Sequence, residues 1–422
     1  MASDKLGNKL STSALGHLTR DGRLLFLTRF VRMFSYGALS VVLVFYLTGI
    51  GLSESQTGAL LTLTLLGDTL ISLVLTTQAD RVGRRRMLII GSALMAGAGV
   101  AFACTNNFAF LVLAGTIGVI SPSGHEVGPF LSIEQAALSQ VIPPGARTML
   151  FAWHALIGSV ATAAGSLFAG VLTQRLQRGA VSPVESERAV VFVYAALGLL
   201  LAVLFGALSS AAEVRANGDQ SNGPRHWLGL GTSRTVVLKL SALFALDSFG
   251  GGFVVQSFAA YWFYLRFGVS PATLGSIFFG ANLFAGISAL LAARLASRFG
   301  LVRTMVFTHL PSNVLLILVP LMPNLPLAVF VLLLRFSISQ MDVPTRQSYT
   351  MAIVRPEERS STAGVTSVAR TVGAAVAPVL AGILFAMPST VNLPFFIAGV
   401  LKITYDVLLY RAFVGLRPAD EL

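Results

Sequence analysis

The chain has 422 residues, of which 55% are apolar and only 11% are charged. A soluble domain carries about 25% charged residues, so this composition excludes a water-soluble globular protein and indicates one embedded in lipid. The net charge of +12 does not indicate nucleic-acid binding, because the basic residues are spread over short loops rather than gathered in one basic domain. A single cysteine, Cys104, excludes an intramolecular disulfide, and no cluster of cysteine and histidine suits a metal ion.

Apolar stretches follow one another along the chain, and each suits the roughly 20 residues of a transmembrane helix. Twelve are predicted, at residues 24–49, 57–79, 87–104, 108–141, 148–174, 188–211, 236–265, 272–296, 302–322, 326–353, 359–387 and 391–414. The fourth, fifth, tenth and eleventh are long enough to require a tilt or a break. The preceding segment, 1–23, is polar and lacks the cleavage site of a signal peptide, so the first stretch is expected to be retained as a helix.

A polar stretch rich in glycine and asparagine divides the chain into two parts. It covers residues 212–235 and is predicted to link an N-terminal bundle, 24–211, to a C-terminal bundle, 236–414, which is followed by a short tail at 415–422. Each bundle holds six of the predicted spans. The sequence therefore predicts an all-α integral membrane protein of twelve transmembrane helices in two six-helix bundles.

Lysine and arginine residues are distributed unequally between the two sets of loops. The set that includes both termini and the linker holds 20 of them, whereas the opposite set holds only Arg175, Arg178, Arg188 and Arg266. Positively charged loops stay on the cytoplasmic side of a membrane, so we expect both termini and the linker to be cytoplasmic. We further expect a multi-pass protein of a plasma membrane, such as the bacterial inner membrane.

The two predicted bundles repeat one another in sequence. Four motifs recur in the same order at offsets of 217, 217, 216 and 212 residues. They pair 51–58 with 268–275, 80–86 with 297–303, 121–127 with 337–343, and 144–172 with 356–384. Because the bundles have the same number of spans and the same orientation, this is a parallel repeat, which is typical of transporters whose substrate site lies between two bundles.

The segment 76–86, which reads TTQADRVGRRR, resembles the signature loop between the second and third helices of the major facilitator superfamily. The family pattern is G-x-x-x-D-R-x-G-R-R, and Thr76 stands in place of its leading glycine. The matching residues are Asp80, Arg81, Gly83, Arg84 and Arg85, and the second repeat retains Arg298 and Gly300. With twelve spans and a central linker, the resemblance covers the whole chain. It implies alternating access by rocking of the two halves, in a monomer.

The residues of this loop also suggest a gate latch. Gly83 permits a tight turn, and Asp80 is placed to accept hydrogen bonds from the N–H groups at the start of the next helix. Arg81, Arg84 and Arg85 are placed to pair with acidic groups across the cytoplasmic interface between the halves. The alternative is that these charges only set the topology.

Ionisable residues within transmembrane spans are costly, and they usually face a partner or a water-filled cavity. This chain has many of them, namely Arg29, Arg32, Asp68, His125, Glu126, Glu134, His154, Asp247, Arg335, Asp342, Arg346, Arg370, Lys402 and Asp406. The fourth span places two prolines and two glycines around His125 and Glu126, so a regular helix is not expected between 121 and 129. Such a break beside carboxylates is typical of a binding or proton site.

Ten residues are predicted to form the substrate and proton site, namely Arg32, Tyr36, Asp68, Glu126, Glu134, His154, Asp247, Arg335, Asp342 and Arg346. Helical spacing supports this set, because Arg335, Asp342 and Arg346 lie on one helix face. Glu126 and Asp342 also occupy matching places in the two repeats, so both are expected near the central cavity.

Several of these charges have structural alternatives. Arg29 reaches the cytoplasmic surface by snorkelling in one alternative, and Asp68 pairs with Arg32 in another. For His154 the alternative is a packing residue, and for Arg370 it is a bond to an acid across the interface between the halves. Lys402 and Asp406 are four residues apart in a peripheral helix, so they are expected to pair with each other.

The sequence favours a proton-coupled secondary transporter of a small organic solute. Burial favours the neutral form of a carboxylate and neighbouring arginines favour its charged form, so occupancy by a solute would change how tightly Glu126 or Glu134 holds a proton. Arg32, Arg335 and Arg346 favour a substrate with an anionic group, and we expect export. Apart from the proton and the surrounding lipid, no cofactor, metal or macromolecular partner is predicted.

Three alternatives belong to other functional classes. The first is an uncoupled facilitator or channel, and the second is a multidrug or cation efflux antiporter. Drug/proton antiporters of the superfamily usually carry an arginine in the fourth helix and a Gly-Pro pair in the fifth, whereas the fourth span here is acidic and the fifth has no such pair. The third is an intramembrane enzyme, which the absence of HExxH, GxSxG and metal-ligand spacing disfavours.

Overall fold

The computed structural model describes residues 19–141, 147–213, 233–355 and 358–415, and over these ranges it consists of helices and turns. The α-helices are α1 (Arg20–Gly49), α2 (Glu54–Val82), α3 (Arg84–Cys104), α4 (Phe108–Ile117), α5 (Phe130–Val141), α6 (Arg147–Arg178), α7 (Pro183–Gly206), α8 (Arg234–Gly252), α9 (Gln256–Phe267), α10 (Pro271–Phe299), α11 (Leu301–Leu318), α12 (Leu325–Ser339), α13 (Asp342–Ala352), α14 (Arg359–Phe385) and α15 (Leu393–Phe413). Short 3-10 turns lie at Ser210–Ala212 and Val319–Leu321. Most of the predicted linker and tail lies outside the described residues.

Eleven stretches of helix in the described part are long and apolar enough to cross a membrane, and α4 is a shorter apolar helix. Three of the crossings are made by two helices with a break between them, namely α4 with α5, α8 with α9 and α12 with α13. The predicted all-α class with twelve spans is therefore confirmed.

The break between α4 and α5 follows from the residues of segment 118–129. Gly124 and Gly128 adopt φ values of +69° and +81°, which residues with a side chain rarely reach. The break between α12 and α13 falls at Gln340 and Met341, directly before Asp342. The sequence predicted that the fourth and tenth spans would tilt or break, and both of them break.

The other long spans behave differently from the broken ones. Although the fifth and eleventh were also expected to tilt or break, α6 is a continuous helix of 32 residues and α14 one of 27 residues. The seventh span, predicted as one helix over 236–265, is instead interrupted after Gly252. Three consecutive glycines, 250–252, weaken the helix at that point, because glycine loses more backbone freedom in a helix than any other residue.

Matching turns in the two halves use matching residues. Gly51 and Gly268, 217 positions apart, both have positive φ, and each is followed two residues later by a serine that caps the next helix. Gly83 and Gly300 also share positive φ, of 113° and 82°, and each lies between two long helices. The repeats detected in the sequence are therefore repeats of backbone conformation.

The two halves meet mainly along two helix pairs, α2 with α14 and α6 with α10, and less extensively where α9 approaches α1. At the first crossing, a Cβ added to Gly58 would lie 2.4 Å from the carbonyl oxygen of Pro378 and 3.0 Å from the Cα of Gly382. At the second, a Cβ added to Gly170 would lie 2.4 Å from the carbonyl oxygen of Pro271. The lack of side chains at these glycines is what lets the helices approach so closely.

Hydrogen bonds between the halves gather at one end of the bundle, which we call the sealed end; it carries the α1–α2 and α9–α10 turns. The Tyr261 hydroxyl donates to Glu54 at 2.8 Å, and the Gln256 amide donates to the hydroxyls of Ser40 and Ser166 at 2.8 and 3.2 Å. The opposite end, which carries the Gly83 and Gly300 turns, is called the motif end. Its contacts include two that stay within one half, the side chain of Asp21 with Ser209 and the N–H of Ser233 with Glu358.

Candidate functional site

Five buried or nearly buried side chains of the N-terminal half form one network, which we call the N-cluster: Thr28, Arg29, Arg32, Glu126 and Glu134. Arg32 donates to both oxygens of Glu134 at 2.6 and 2.7 Å and to Glu126 at 2.9 Å. Arg29 donates to the second oxygen of Glu126, and Thr28 donates to Glu134 at 2.9 Å. Two arginines thus balance two carboxylates, so the network is electrically neutral.

The helices explain how these residues meet. Thr28, Arg29 and Arg32 lie on one face of α1, while Glu134 lies on α5 and Glu126 lies in the irregular segment before it. The Arg32 guanidinium also lies over the ring of Phe130, 4.8 Å from its centroid. A bidentate arginine pair beside an aromatic face fixes the position of α5 against α1.

Accessibility distinguishes the two carboxylates of the N-cluster. The side chain of Glu134 is fully buried, as is that of Arg32, whereas 17% of the Glu126 side chain is exposed. Arg29 is nearly buried and bound to Glu126, so the alternative that it snorkels to the surface is wrong. Glu126 is consequently the acid of this cluster that solvent and solute can reach.

Three further predicted site residues surround this cluster. Tyr36 is buried and donates to the carbonyl of Val127 at 3.2 Å, so it supports the broken segment. The Nε2 atom of His154 lies 3.7 Å from Glu134, too far for a hydrogen bond. Asp68 is buried, but its Oδ1 has no hydrogen-bond partner. The alternative pairing of Asp68 with Arg32 is wrong, because Arg32 binds Glu126 and Glu134 instead.

A second network, the C-cluster, lies in the C-terminal half and comprises Asp247, His309, Asn313, Asp342, Arg346, Lys402 and Asp406. Asp247 is its centre, accepting from Lys402 at 2.7 Å and from Arg346 at 3.1 Å. Arg346 also lies 3.2 Å from Asp342, which is the i,i+4 pair expected from the sequence. Three of the predicted site residues are therefore joined by direct contacts.

The expected pair of Lys402 with Asp406 is wrong. Lys402 binds Asp247, whereas Asp406 accepts from Asn313 at 2.9 Å and lies 2.8 Å from Nδ1 of His309. A helical spacing of four residues permits a pair but does not create one when stronger partners lie on neighbouring helices. His309 and Asn313, on α11, escaped the sequence analysis even though their i,i+4 spacing in an apolar span was a usable signal.

The C-cluster includes three potential metal ligands but already contains cations. Ligand atoms of Asp247, His309 and Asp342 lie within 4.8 Å of one another. Both oxygens of Asp247 are taken, one by Lys402 and one by Arg346. Because these side chains supply the positive charge that a metal ion would bring, the arrangement fits an internal ion network better than a metal centre.

Arg335 and Arg370 are partly exposed, and they differ in their partners from the buried arginines of the two clusters. Among the described residues neither forms an ion pair with a carboxylate, and the Nε atom of each is buried without a hydrogen-bond partner. Both interact electrostatically with the imidazole of His125, which comes from the other half and is exposed. Because electrostatic interactions weaken with distance, both arginines lie near His125 across the boundary between the halves. The alternative in which Arg370 binds an acid across the interface is not met among the described residues.

The signature loop is held by a residue that the sequence analysis did not consider. The carboxylate of Glu213 accepts from the backbone N–H of Arg84 at 2.7 Å and from that of Arg85 at 3.1 Å. Glu213 thus caps α3, the role expected of Asp80, whose side chain lies outside the described part. Arg81 and Arg85 are exposed. The expected latch therefore stays a prediction for another conformation.

The remaining predicted gate residues, Arg298 and Gly300, belong to the second copy of the signature loop. Arg298 is exposed, with its guanidinium 5.4 Å from the ring centroid of Phe299. Gly300 forms the turn between α10 and α11. Both occupy the motif end, opposite the hydrogen bonds that join the halves.

The sequence model of the Major Facilitator Superfamily matches residues 25–266 and again 240–421. An uncharacterised membrane protein of Saccharomyces cerevisiae, YJR124C, is 32% identical over 425 residues, covering 94% of this chain and 95% of the yeast protein.

Solved structures with the same fold include transporters of different solutes. A mutant of the nucleoside transporter NupG aligns with a TM-score of 0.74 at 13% identity, over 92% of this chain and 99% of NupG. A D-xylose-proton symporter aligns with a TM-score of 0.69 at 14% identity, over 92% and 96%. A bacterial homolog of the human lysosomal transporter Spinster, inward-facing and occupied, aligns with a TM-score of 0.68 at 18% identity, over 92% and 95%. At these identities the likeness establishes the fold alone.

Proposed function

Because the chain belongs to the Major Facilitator Superfamily, whose members carry small solutes across membranes, we propose that it is a proton-coupled secondary transporter that works by alternating access. The observation that carries this proposal is the N-cluster, in which Glu126 binds two arginines beside a broken helix. A broken helix at membrane depth is tolerated where it is packed in protein or lines a cavity, and segment 118–129 meets that condition between the two halves.

Coupling to protons rests on the difference between the two glutamates. Glu126 is partly exposed, while Glu134 is fully buried and bound at both oxygens by Arg32. A proton arriving at Glu126 would release Arg29 and weaken the contact with Arg32. Since Glu126 belongs to the segment that carries His125, its protonation state would reposition the lining of the cavity.

Alternating access is supported by the asymmetry of the contacts between the halves. The sealed end is joined by hydrogen bonds such as that from Tyr261 to Glu54, and by the two glycine crossings. Because α10 is the repeat counterpart of α2 and α14 that of α6, the two crossings are equivalent under the repeat, and rocking about them would preserve the symmetry. In the orientation expected from the loop charges, the sealed end would face the exterior.

The proposed substrate is a small organic solute with an anionic group, and the proposed direction is export. Of the three arginines that favoured an anion, Arg32 and Arg346 are neutralised by carboxylates, and only Arg335 is left to attract one. The alternatives are an uncoupled facilitator and an efflux antiporter for drugs or cations. Glu126 with its two arginines favours coupling, and Arg335 disfavours a cation.

Reconstitution in liposomes tests the coupling. We expect Glu126→Gln to retain saturable counterflow of the solute but to lose accumulation driven by a proton gradient, because glutamine cannot exchange a proton. The matched control is Glu185→Gln, which removes an exposed acid that pairs with Arg188 at the sealed end. Normal proton-driven accumulation by Glu126→Gln would contradict the coupling, whereas loss in both variants would place the defect in the fold.

A further inference from the structure

The charges at the centre of the C-terminal half are not balanced. Its cations are Arg335, Arg346, Arg370 and Lys402, and its carboxylates are Asp247, Asp342 and Asp406. Four cations against three carboxylates leave one net positive charge, without counting His309. The N-cluster is neutral by itself, and Asp68, a further buried carboxylate of that half, forms no ion pair with an arginine in the described part of the chain.

The hydrogen bonds and ion pairs show which residues carry the excess positive charge. Arg346 and Lys402 are both bound to Asp247, so they are not its source. Arg335 has the ring of Phe336 at 4.9 Å as its described partner, and Arg370 has neither an ion pair nor a hydrogen bond in the described part of the chain. An unpaired cation within the membrane is energetically costly, and such a residue commonly marks a site where a ligand supplies the missing negative charge.

We propose that Arg335, Arg370 and His125 form an anion-binding site between the two halves that takes a solute with one carboxylate or one phosphate group. The inference rests on the proposed function and names the residues and the charge of the substrate site. Two guanidinium groups match the planar geometry of such anions, and the exposed imidazole of His125 closes the site from the opposite half.

The position of His125 relates this site to the rest of the molecule. His125 lies next to Glu126, and the same segment meets the second half where the N–H of Ser257 donates to the carbonyl of Pro122 at 3.2 Å. An anion held by Arg335, Arg370 and His125 would therefore connect α12 and α14 of one half with the broken segment of the other.

The first experiment measures the effect of neutralising each arginine on thermal stability in the absence of any ligand. Replacing an unpaired, partly buried cation removes an uncompensated charge, so Arg335→Gln and Arg370→Gln are expected to raise the melting temperature. The matched variant Arg346→Gln breaks two ion pairs and is expected to lower it. If Arg335→Gln and Arg370→Gln destabilise the protein as Arg346→Gln does, these arginines have partners within the protein and the site is refuted.

The second experiment titrates the purified full-length protein with acetate and inorganic phosphate, using acetamide as the neutral probe, at constant ionic strength. We expect acetate or phosphate, but not acetamide, to raise the melting temperature of the wild type in a saturable way. The response should weaken about tenfold to a hundredfold in affinity in Arg335→Gln and Arg370→Gln, since each loses a hydrogen bond to a charged group. Arg294→Gln, an exposed position on α10, should respond like the wild type.

The outcomes separate this site from the proposed transport. Equal responses in the wild type and both arginine variants, or no response to either anion, would overturn the site. The stronger of the two probes identifies the group, carboxylate or phosphate. If anion binding depends on both arginines but Glu126→Gln still accumulates solute with the proton gradient, then the coupling fails and the anion site stands.

Discussion

The two glycine crossings offer the sharpest perturbation of the structure. In the variant Gly58→Ala, the new methyl group would lie 2.4 Å from the carbonyl oxygen of Pro378, closer than non-bonded atoms approach. Overpacking of this kind costs about 1–3 kcal/mol. The cost applies only while the sealed end is closed, so the ratio of conformers open at that end to sealed conformers should rise about 5-fold to 150-fold.

Spin labels placed at Asn106→Cys and Ser389→Cys would measure this shift, after the native Cys104 has been replaced by serine. Both positions are exposed, and they lie in turns at the sealed end of opposite halves. We expect Gly58→Ala to add a population with a longer distance between the labels. The control is Gly97→Ala on α3, where an added Cβ meets nothing within 4 Å. A distance distribution in Gly58→Ala identical to that of Gly97→Ala would refute the role assigned to the crossing.

Three further experiments use the free energy of unfolding to test the two buried networks and one helix cap. Glu134→Gln leaves Arg32 without its fully buried partner and should cost about 3–5 kcal/mol; a loss below about 1 kcal/mol would contradict the network. Asp247→Asn and Lys402→Met should be non-additive, with a coupling of about 0.5–3 kcal/mol in a double-mutant cycle, whereas additivity would mean that the 2.7 Å contact contributes nothing. Glu213→Gln should destabilise α3 by about 0.5–2 kcal/mol, because a charged cap is lost, and its effect should shrink in high salt.

Much of the fold was predictable because it follows from local composition. The twelve apolar stretches and the break in the fourth span depend on residues within a few positions of one another, and the repeats are visible as similar motifs along the sequence. The break in the seventh span had a local signal as well, the glycines at 250–252, but these were not distinguished from the many other glycines of the chain.

The partners of the buried charges were less predictable than their positions. The sequence singled out Arg32, Glu126 and Glu134 as candidates, and the structure joins all three. It could not specify that Lys402 would turn away from Asp406 toward Asp247, because the choice depends on how α8 and α15 pack. Pairing across helices is a tertiary property, and spacing along one helix decides it only when no better partner is near.

The same limit explains why the sequence did not show that Arg335 and Arg370 lack acidic partners. In the sequence they were two of several buried arginines, with as many acids available to neutralise them. Only the structure shows that Asp247 and Asp342 are engaged by Arg346 and Lys402, which leaves this pair unmatched. The absence of a partner cannot be read from residue counts.

The most direct test of the account follows proton movement by the reconstituted protein. Liposomes containing a pH-sensitive dye would be exposed to matched anionic and neutral organic solutes, with wild type and Glu126→Gln compared. We expect a saturable change in internal pH with the anionic solutes only, and no such change in Glu126→Gln. Saturable solute uptake by the wild type with no change in internal pH would contradict it, and would identify the protein as an uncoupled facilitator.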